Sequence, residues 1–196
     1  MNSRKIRIGV VPIGEVSEIT SKSIAAHILG HLNLDVDVLP PLTHPAHAHD
    51  KKRFQYDAGV IIKALESEPF QKHTKVIGVL EVDLFVPIFT HVFGEAKQGG
   101  KHAIVSLYRL KRNPDGSIPP MSLLLERAAK VALHELSHLF DLHHCMDRMC
   151  LMHFSGGLET LDKTPLSFCR YCWLNLRGAL SMGKGQKATI DGRKNI

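Results

Sequence analysis

The residues with the clearest chemical potential lie between Leu133 and Cys172, where the chain reads LHELSHLFDLHHCMDRMCLMHF and later Cys169-Arg170-Tyr171-Cys172. His134, Glu135 and His138 form H-E-x-x-H. On a helix this spacing puts both imidazoles on one face, one turn apart, so that two neutral ring nitrogens reach the same zinc ion. Glu135, beside the first histidine, is then placed to act as general base on a metal-bound water. Five residues alone are a weak signal, since histidines also sit on helix surfaces or hydrogen-bond inside cores. His144 strengthens it. It follows His138 by six residues, too far for a continuing helix, but a sharp turn near Asp141 would bring it back as a third ligand. Such a turn requires positive φ, which Gly adopts freely and Asp tolerates. Three histidines leave a fourth zinc position open, the mark of a catalytic rather than a structural site. The neighbouring His143 competes for the third place. The spacing favours His144 and leaves His143 as a solvated neighbour.

The same stretch holds all four cysteines. Cys145 and Cys150 form one close pair, and Cys169 and Cys172 form a C-x-x-C. Two such pairs across a loop suit a tetrahedral zinc held by four thiolates, and two disulfides are the competing arrangement. The charged start Met-Asn-Ser-Arg-Lys-Ile-Arg-Ile has no signal-peptide hydrophobic region, so a cytoplasmic location with reduced thiols is expected, which favours metal. A second zinc there would brace the loop that carries His144.

The ordered pattern H-E-x-x-H-x-x-x-x-x-H-C-x-x-x-x-C-x-Met, followed by C-x-x-C, resembles the archaemetzincins, a branch of the metzincin zinc peptidases. The segments Val92-Phe93-Gly94-Glu95-Ala96, Gly99-Gly100 and Ala103-Ile104-Val105-Ser106-Leu107 share the likeness, which covers about Arg4 to Leu180. The resemblance implies that His134, His138 and His144 are catalytic zinc ligands, that Glu135 is the general base, and that Met152 is the methionine of a Met-turn beneath the metal. It implies an additional zinc on Cys145, Cys150, Cys169 and Cys172, giving two zinc ions per chain. Asp141 departs from the family's glycine, and His153 after Met152 is a local oddity. His153 is also a candidate extra oxyanion donor.

The elements that must position these residues follow the chain. At 196 residues, 44% hydrophobic and 22% charged, the chain is long enough for one real core. No apolar run approaches the ~20 residues of a membrane helix. The net charge of +6 is scattered among Lys51-Lys52-Arg53, the group Arg109, Lys111 and Arg112, and the C-terminal tail, without interleaved aromatics. No nucleic-acid or membrane partner is expected on that account, and a monomer acting on a peptide or protein substrate is. Hydrophobic periodicity predicts strands over 4–12, 35–39, 74–84, 86–93 and 102–110, helices over 17–32, 57–66 and 122–140, and, within 165–180, a C-terminal helix that starts around the C-x-x-C. The order implies a mixed α/β fold: a twisted, mixed five-stranded sheet with helices, including an active-site helix, and a small zinc-stapled C-terminal subdomain. One of the strands 86–93 and 102–110 is expected at the sheet edge, where a metzincin-like architecture would pair it with extended substrate.

The division expected is an upper subdomain over 1–141, a lower one over 142–180 and a flexible tail over 181–196. Glu126, Arg127 and Lys130 are expected to face solvent or the upper lobe. Glu81, Asp83 and Glu95 are expected as surface carboxylates, and His44, His47 and His49 as members of a surface loop. The function these residues predict is zinc-dependent peptide hydrolysis. The alternatives are a zinc-stabilised binding protein with a latent or vestigial peptidase site, for which Asp141 is the motive, and, more remotely, a nucleic-acid binder of the zinc-ribbon kind.

Overall fold

The computed structural model describes residues 5–182. The chain opens with strand β1 (Arg7–Ile13), helix α1 (Glu18–Leu32) and strand β2 (Asp35–Val38). Next come β3 (His49–Asp50), β4 (Gln55–Asp57), helix α2 (Ala58–Glu66) and β5 (Lys75–Leu80). β6 (Leu84–Val86), β7 (Phe89–Val92), β8 (Gly94–Ala96) and β9 (His102–Ser106) complete the strands. Helices α3 (Met121–Leu139), α4 (Leu158–Lys163) and α5 (Arg170–Met182) follow. Of the tail expected at 181–196, Ser181 and Met182 belong to α5, and the rest lies outside the described residues.

The expected five-stranded mixed sheet is present, in the order β2-β1-β5-β9-β8, parallel throughout except for β8, which runs antiparallel to β9. Ile8, Val10, Ile77, Val79, Ala103 and Val105 project from one face onto α1 and α3, while Val11, Ile13, Val76, Leu80 and Ile104 pack against α2 on the other. Covered on both sides, β1 is buried at six consecutive positions rather than alternating. α3 is packed between the sheet and the C-terminal segment, whose Leu142, Leu151, Met152, Leu161, Leu176 and Leu180 join the same core.

Two features differ from the sequence expectation. A second sheet of four short strands, β3-β4-β6-β7, lies beside the first. The single strand expected over 74–84 therefore ends at Leu80, and the chain re-enters as β6 in the other sheet. Polar contacts explain the break: Ser106 Oγ donates to the Val82 carbonyl at 2.6 Å, and Tyr56 N–H to the Asp83 carbonyl at 2.8 Å. The strand expected over 86–93 becomes β7, paired antiparallel with β6. Among the loop histidines, His44 and His49 pack on the Tyr56 ring at 5.2 and 4.9 Å.

The second difference is on α3. Arg127 and Lys130 do not face solvent; each is 1% exposed. The Arg127 guanidinium donates twice to Asp162, both at 2.7 Å, and also to the Leu110 carbonyl and Asn113 Oδ1. Lys130 donates to the carbonyls of Leu161 and Asp162 and pairs with Glu126. Helix α4, which the periodicity did not predict, supplies Leu161 and Asp162 among these acceptors and covers what would otherwise be the solvent face of α3.

Candidate active site

α3 carries His134, Glu135 and His138 in its last two turns, and its end decides where His144 goes. Asp141 adopts φ = 69°. Its N–H donates to the His138 carbonyl at 2.9 Å, and the Leu142 N–H reaches back to the Ser137 carbonyl at 3.1 Å. This is a Schellman helix end with Asp in the left-handed position that glycine usually fills. The hairpin between β8 and β9 braces it. Gln98 Nε2 donates to Asp141 Oδ1 and to the Leu142 carbonyl, both at 3.1 Å, and the Gly99 N–H donates to the His138 carbonyl at 2.9 Å.

The turn brings His144 back. The three ring centroids are 4.7 Å (His134–His138), 5.2 Å (His134–His144) and 4.8 Å (His138–His144) apart. One ring nitrogen from each lies within 4.8 Å of the others, whereas His143 is outside the group. His134 Nδ1 donates to the Leu151 carbonyl at 2.8 Å and His138 Nδ1 to the Leu142 carbonyl at 2.6 Å. A carbonyl only accepts, so both protons sit on Nδ1, and both Nε2 atoms present lone pairs. These two Nε2 atoms approach to 3.1 Å. Two facing acceptors at that distance are repulsive unless a cation lies between them. Nitrogen ligands at about 2.0–2.1 Å in a tetrahedral zinc shell lie about 3.3 Å apart, so the pair fits zinc. Burial, and next the neighbouring His138, lower the His134 pKa to about 3, which holds the ring in its neutral, ligating form.

Glu135 is buried beside this cluster. Burial, and secondarily the Glu95 carboxylate, push its pKa well above the usual carboxylate range. Gly94 on β8 gives it room, since a Cβ there would lie 2.7 Å from Glu135 Cγ. β8 is one edge of the large sheet and β7 one edge of the small one, and together with α3, Leu151 and Phe154 they enclose a cleft of about 480 Å³. Phe154 stacks on Phe89 across the cleft at 5.6 Å and meets the His144 ring edge-to-face at 5.2 Å.

Of the acidic residues expected at the surface, Asp83 is instead gripped by Arg109 through two hydrogen bonds, and Glu81 pairs with Lys111. Glu95 is half-buried, lines the cleft and has its pKa raised by burial. His153 donates through Nδ1 to the Cys145 carbonyl at 3.1 Å and is not among the residues lining the cleft. Sequence reasoning missed Gln98, Phe89 and Phe154. Gly94 did carry a signal, because a glycine inside a strand often marks close approach of another group.

The four cysteines come together as thiols, their Sγ atoms within 4.8 Å of one another. Cys145 and Cys169 are 3.9 Å apart, close to the edge of about 3.8 Å expected for sulfurs 2.3 Å from one zinc. Backbone donors point at the cluster: Cys172 N–H at Cys169 Sγ and Cys169 N–H at Cys150 Sγ. The first of these lowers the Cys169 pKa, while burial raises those of Cys150 and Cys172. A divalent cation would let all four ionise together. Met152 is fully buried, and its carbonyl accepts from the Cys145 N–H at 2.8 Å.

Residues 24–178 match the model of peptidase family M54. An archaemetzincin of Pyrococcus furiosus is 36% identical over 180 residues, covering 89% of this chain and 94% of its own length. The chain belongs to the archaemetzincin family, peptidase family M54. It is therefore a zinc metallopeptidase. The archaemetzincin of Methanocaldococcus jannaschii is 32% identical, covering 88% of this chain and 93% of its own. The fold agrees: the crystal structure of the Methanopyrus kandleri archaemetzincin superposes with a TM-score of 0.81 at 31% identity, covering 92% of this chain and 98% of that one. A zinc-dependent peptidase from Methanocorpusculum labreanum aligns with a TM-score of 0.78 at 27% identity, covering 86% and 99%. No helix among the described residues is long and apolar enough to cross a membrane.

Proposed function

We propose that His134, His138 and His144 hold a catalytic zinc, that Glu135 is the general base of peptide hydrolysis, and that Cys145, Cys150, Cys169 and Cys172 hold a second, structural zinc. The observation that carries this reading is the 3.1 Å approach of two Nε2 atoms whose rings both donate through Nδ1 to backbone carbonyls. Zinc, when bound, supplies Lewis acidity toward water and a peptide carbonyl. The remaining work falls to the chain. Glu135 takes the proton of the attacking water and passes it to the leaving amine. The free edge of β8 offers unpaired backbone groups to which an extended peptide adds as a further strand. Phe89 and Phe154, stacked on one another, flank the cleft with apolar surface.

On this reading the described part of the segment 1–141, from residue 5 on, belongs to an upper subdomain and 142–180 to a lower one, stapled by the thiolate site. The protein acts as a monomer on peptides or proteins, without nucleic-acid or membrane partners. Reduced thiolates fit a cytoplasmic setting.

The test combines metal content with activity. Wild type should carry two zinc ions and cleave peptides, and Glu135→Gln should keep both ions while losing at least about a hundredfold in kcat. The alternative, a binding protein with a latent or vestigial peptidase site, was motivated by Asp141, yet the helix end forms with Asp in place. Equal cleavage by wild type and Glu135→Gln, including none by either, would favour that alternative.

A further inference from the structure

A second groove, of about 930 Å³, opens beside the catalytic cleft and shares His91 and Phe93 with it. Its floor is apolar, formed by Phe93, Leu124, Ile118 and Met121. Ile118 and Met121 are 77% and 57% exposed, large apolar side chains left facing solvent in one depression. Its rim is basic: Arg109, Lys111 and Arg112 follow one another beyond β9. The charges do not cancel. Asp83 neutralises Arg109 and Glu81 neutralises Lys111, but Arg112 has no carboxylate within 4.0 Å among the described residues, only the Gly116 carbonyl at 3.4 Å. An exposed guanidinium lining the same depression as these apolar side chains presents a fork of donors suited to a carboxylate whose neighbouring side chain packs on them.

We propose that this groove is a substrate-binding extension of the cleft, and that it selects peptides carrying a carboxylate next to an apolar residue, with Arg112 as the recognising cation. The carboxylate comes from an acidic side chain or from the peptide's own C-terminus. The proposal rests on the peptidase reading, because its geometric basis is continuity with the cleft through His91 of β7 and Phe93 just beyond it. Nucleic acid fits the groove less well. A single unpaired cation offers no phosphate track.

The experiment uses zinc-loaded full-length protein and a peptide set sharing one cleavable sequence. Glu or Gln is placed at successive positions on either side of the scissile bond, and each peptide is made as free acid and as C-terminal amide. The readout is the ratio of kcat/KM for acidic over neutral peptides. Wild type should prefer the acidic members, and Arg112→Glu should lower that ratio about tenfold, through KM rather than kcat. Dependence on the free acid identifies a terminal carboxylate, and dependence on Glu within the amides identifies an internal one. An unchanged ratio in Arg112→Glu overturns the proposal. Fluorescence anisotropy of the same peptides on Glu135→Gln separates the two readings. If wild type cleaves nothing, hydrolysis by this site fails; Arg112-dependent binding then still upholds the groove, and Arg112-independent binding overturns it.

Discussion

Gly94 lies directly against Glu135. A Cβ at Gly94 would sit 2.7 Å from Glu135 Cγ, 2.8 Å from Oε1 and 2.9 Å from the Ile104 carbonyl oxygen. The side-chain contacts could be relieved by rotating Glu135 away; the carbonyl belongs to β9 and cannot move without breaking the β8–β9 pairing. Gly94→Ala is therefore expected to destabilise the fold by about 1–3 kcal/mol. It should also lower kcat far more than that stability loss explains, with zinc retained. Thermal unfolding, metal content and kcat measured together check this, and a variant with wild-type turnover would show that Glu135 tolerates displacement.

The Gln98 amide and the Asp141 carboxylate act as a pair at the end of α3. A non-glycine residue in the left-handed region costs about 1–2 kcal/mol, and the hydrogen bond from Gln98 offsets part of that. Gln98 also shares the Leu142 carbonyl with the His138 ring. Gln98→Ala should weaken zinc binding at the histidines by about tenfold, as loss of an outer-shell partner does elsewhere. Asp141→Gly should recover part of the loss in the double variant, because it removes the backbone strain. Competition with a chromophoric chelator reads both effects. Full additivity of the two substitutions would show that the residues act independently.

Arg127 is buried on α3 and held by Asp162, Leu110 and Asn113. Arg127→Met removes the cation and leaves those acceptors without their donor. A loss of about 3 kcal/mol is expected, at the lower end for broken buried pairs because Asp162 keeps some solvent contact. Denaturant unfolding gives the value. Zinc content of the folded fraction should be unchanged, since none of these groups touches the histidines.

Cys172→Ser should release one zinc per chain, with a large drop in thermal midpoint, because the loop between α3 and α5 has little regular structure apart from the six-residue α4. Elemental analysis and a melting curve suffice. If the midpoint stays within a degree or two of wild type, the thiolate site is not what holds this segment.

The site was legible from sequence where its members are close in the chain. H-E-x-x-H needs only the helical repeat to bring His134 and His138 together, and the positive φ of Asp141 follows from the requirement that His144 return. The five-stranded sheet was legible because its inner strands are long and apolar. The second sheet was not: its strands are two to four residues long and owe their pairing to remote side chains such as Gln55 and Asp83. Arg127 and Lys130 were misplaced for a related reason. Two of their acceptors, Leu161 and Asp162, lie more than thirty residues away on a helix too short to show periodicity. Glu95 looked like a surface carboxylate, and only the tertiary arrangement shows it on the cleft wall.

The carbonyl that orients the His134 ring belongs to Leu151, whose neighbours are Cys150 and Met152 and whose own N–H is tied to Ser167. The two clusters are thus mechanically in series. Slack introduced at the thiols reaches the first imidazole through the peptide unit of Leu151 and the third through the bond between His144 and Cys145, and a disturbance at the imidazoles returns by the same two routes. Filling either cluster should therefore raise the affinity of the other by the same factor.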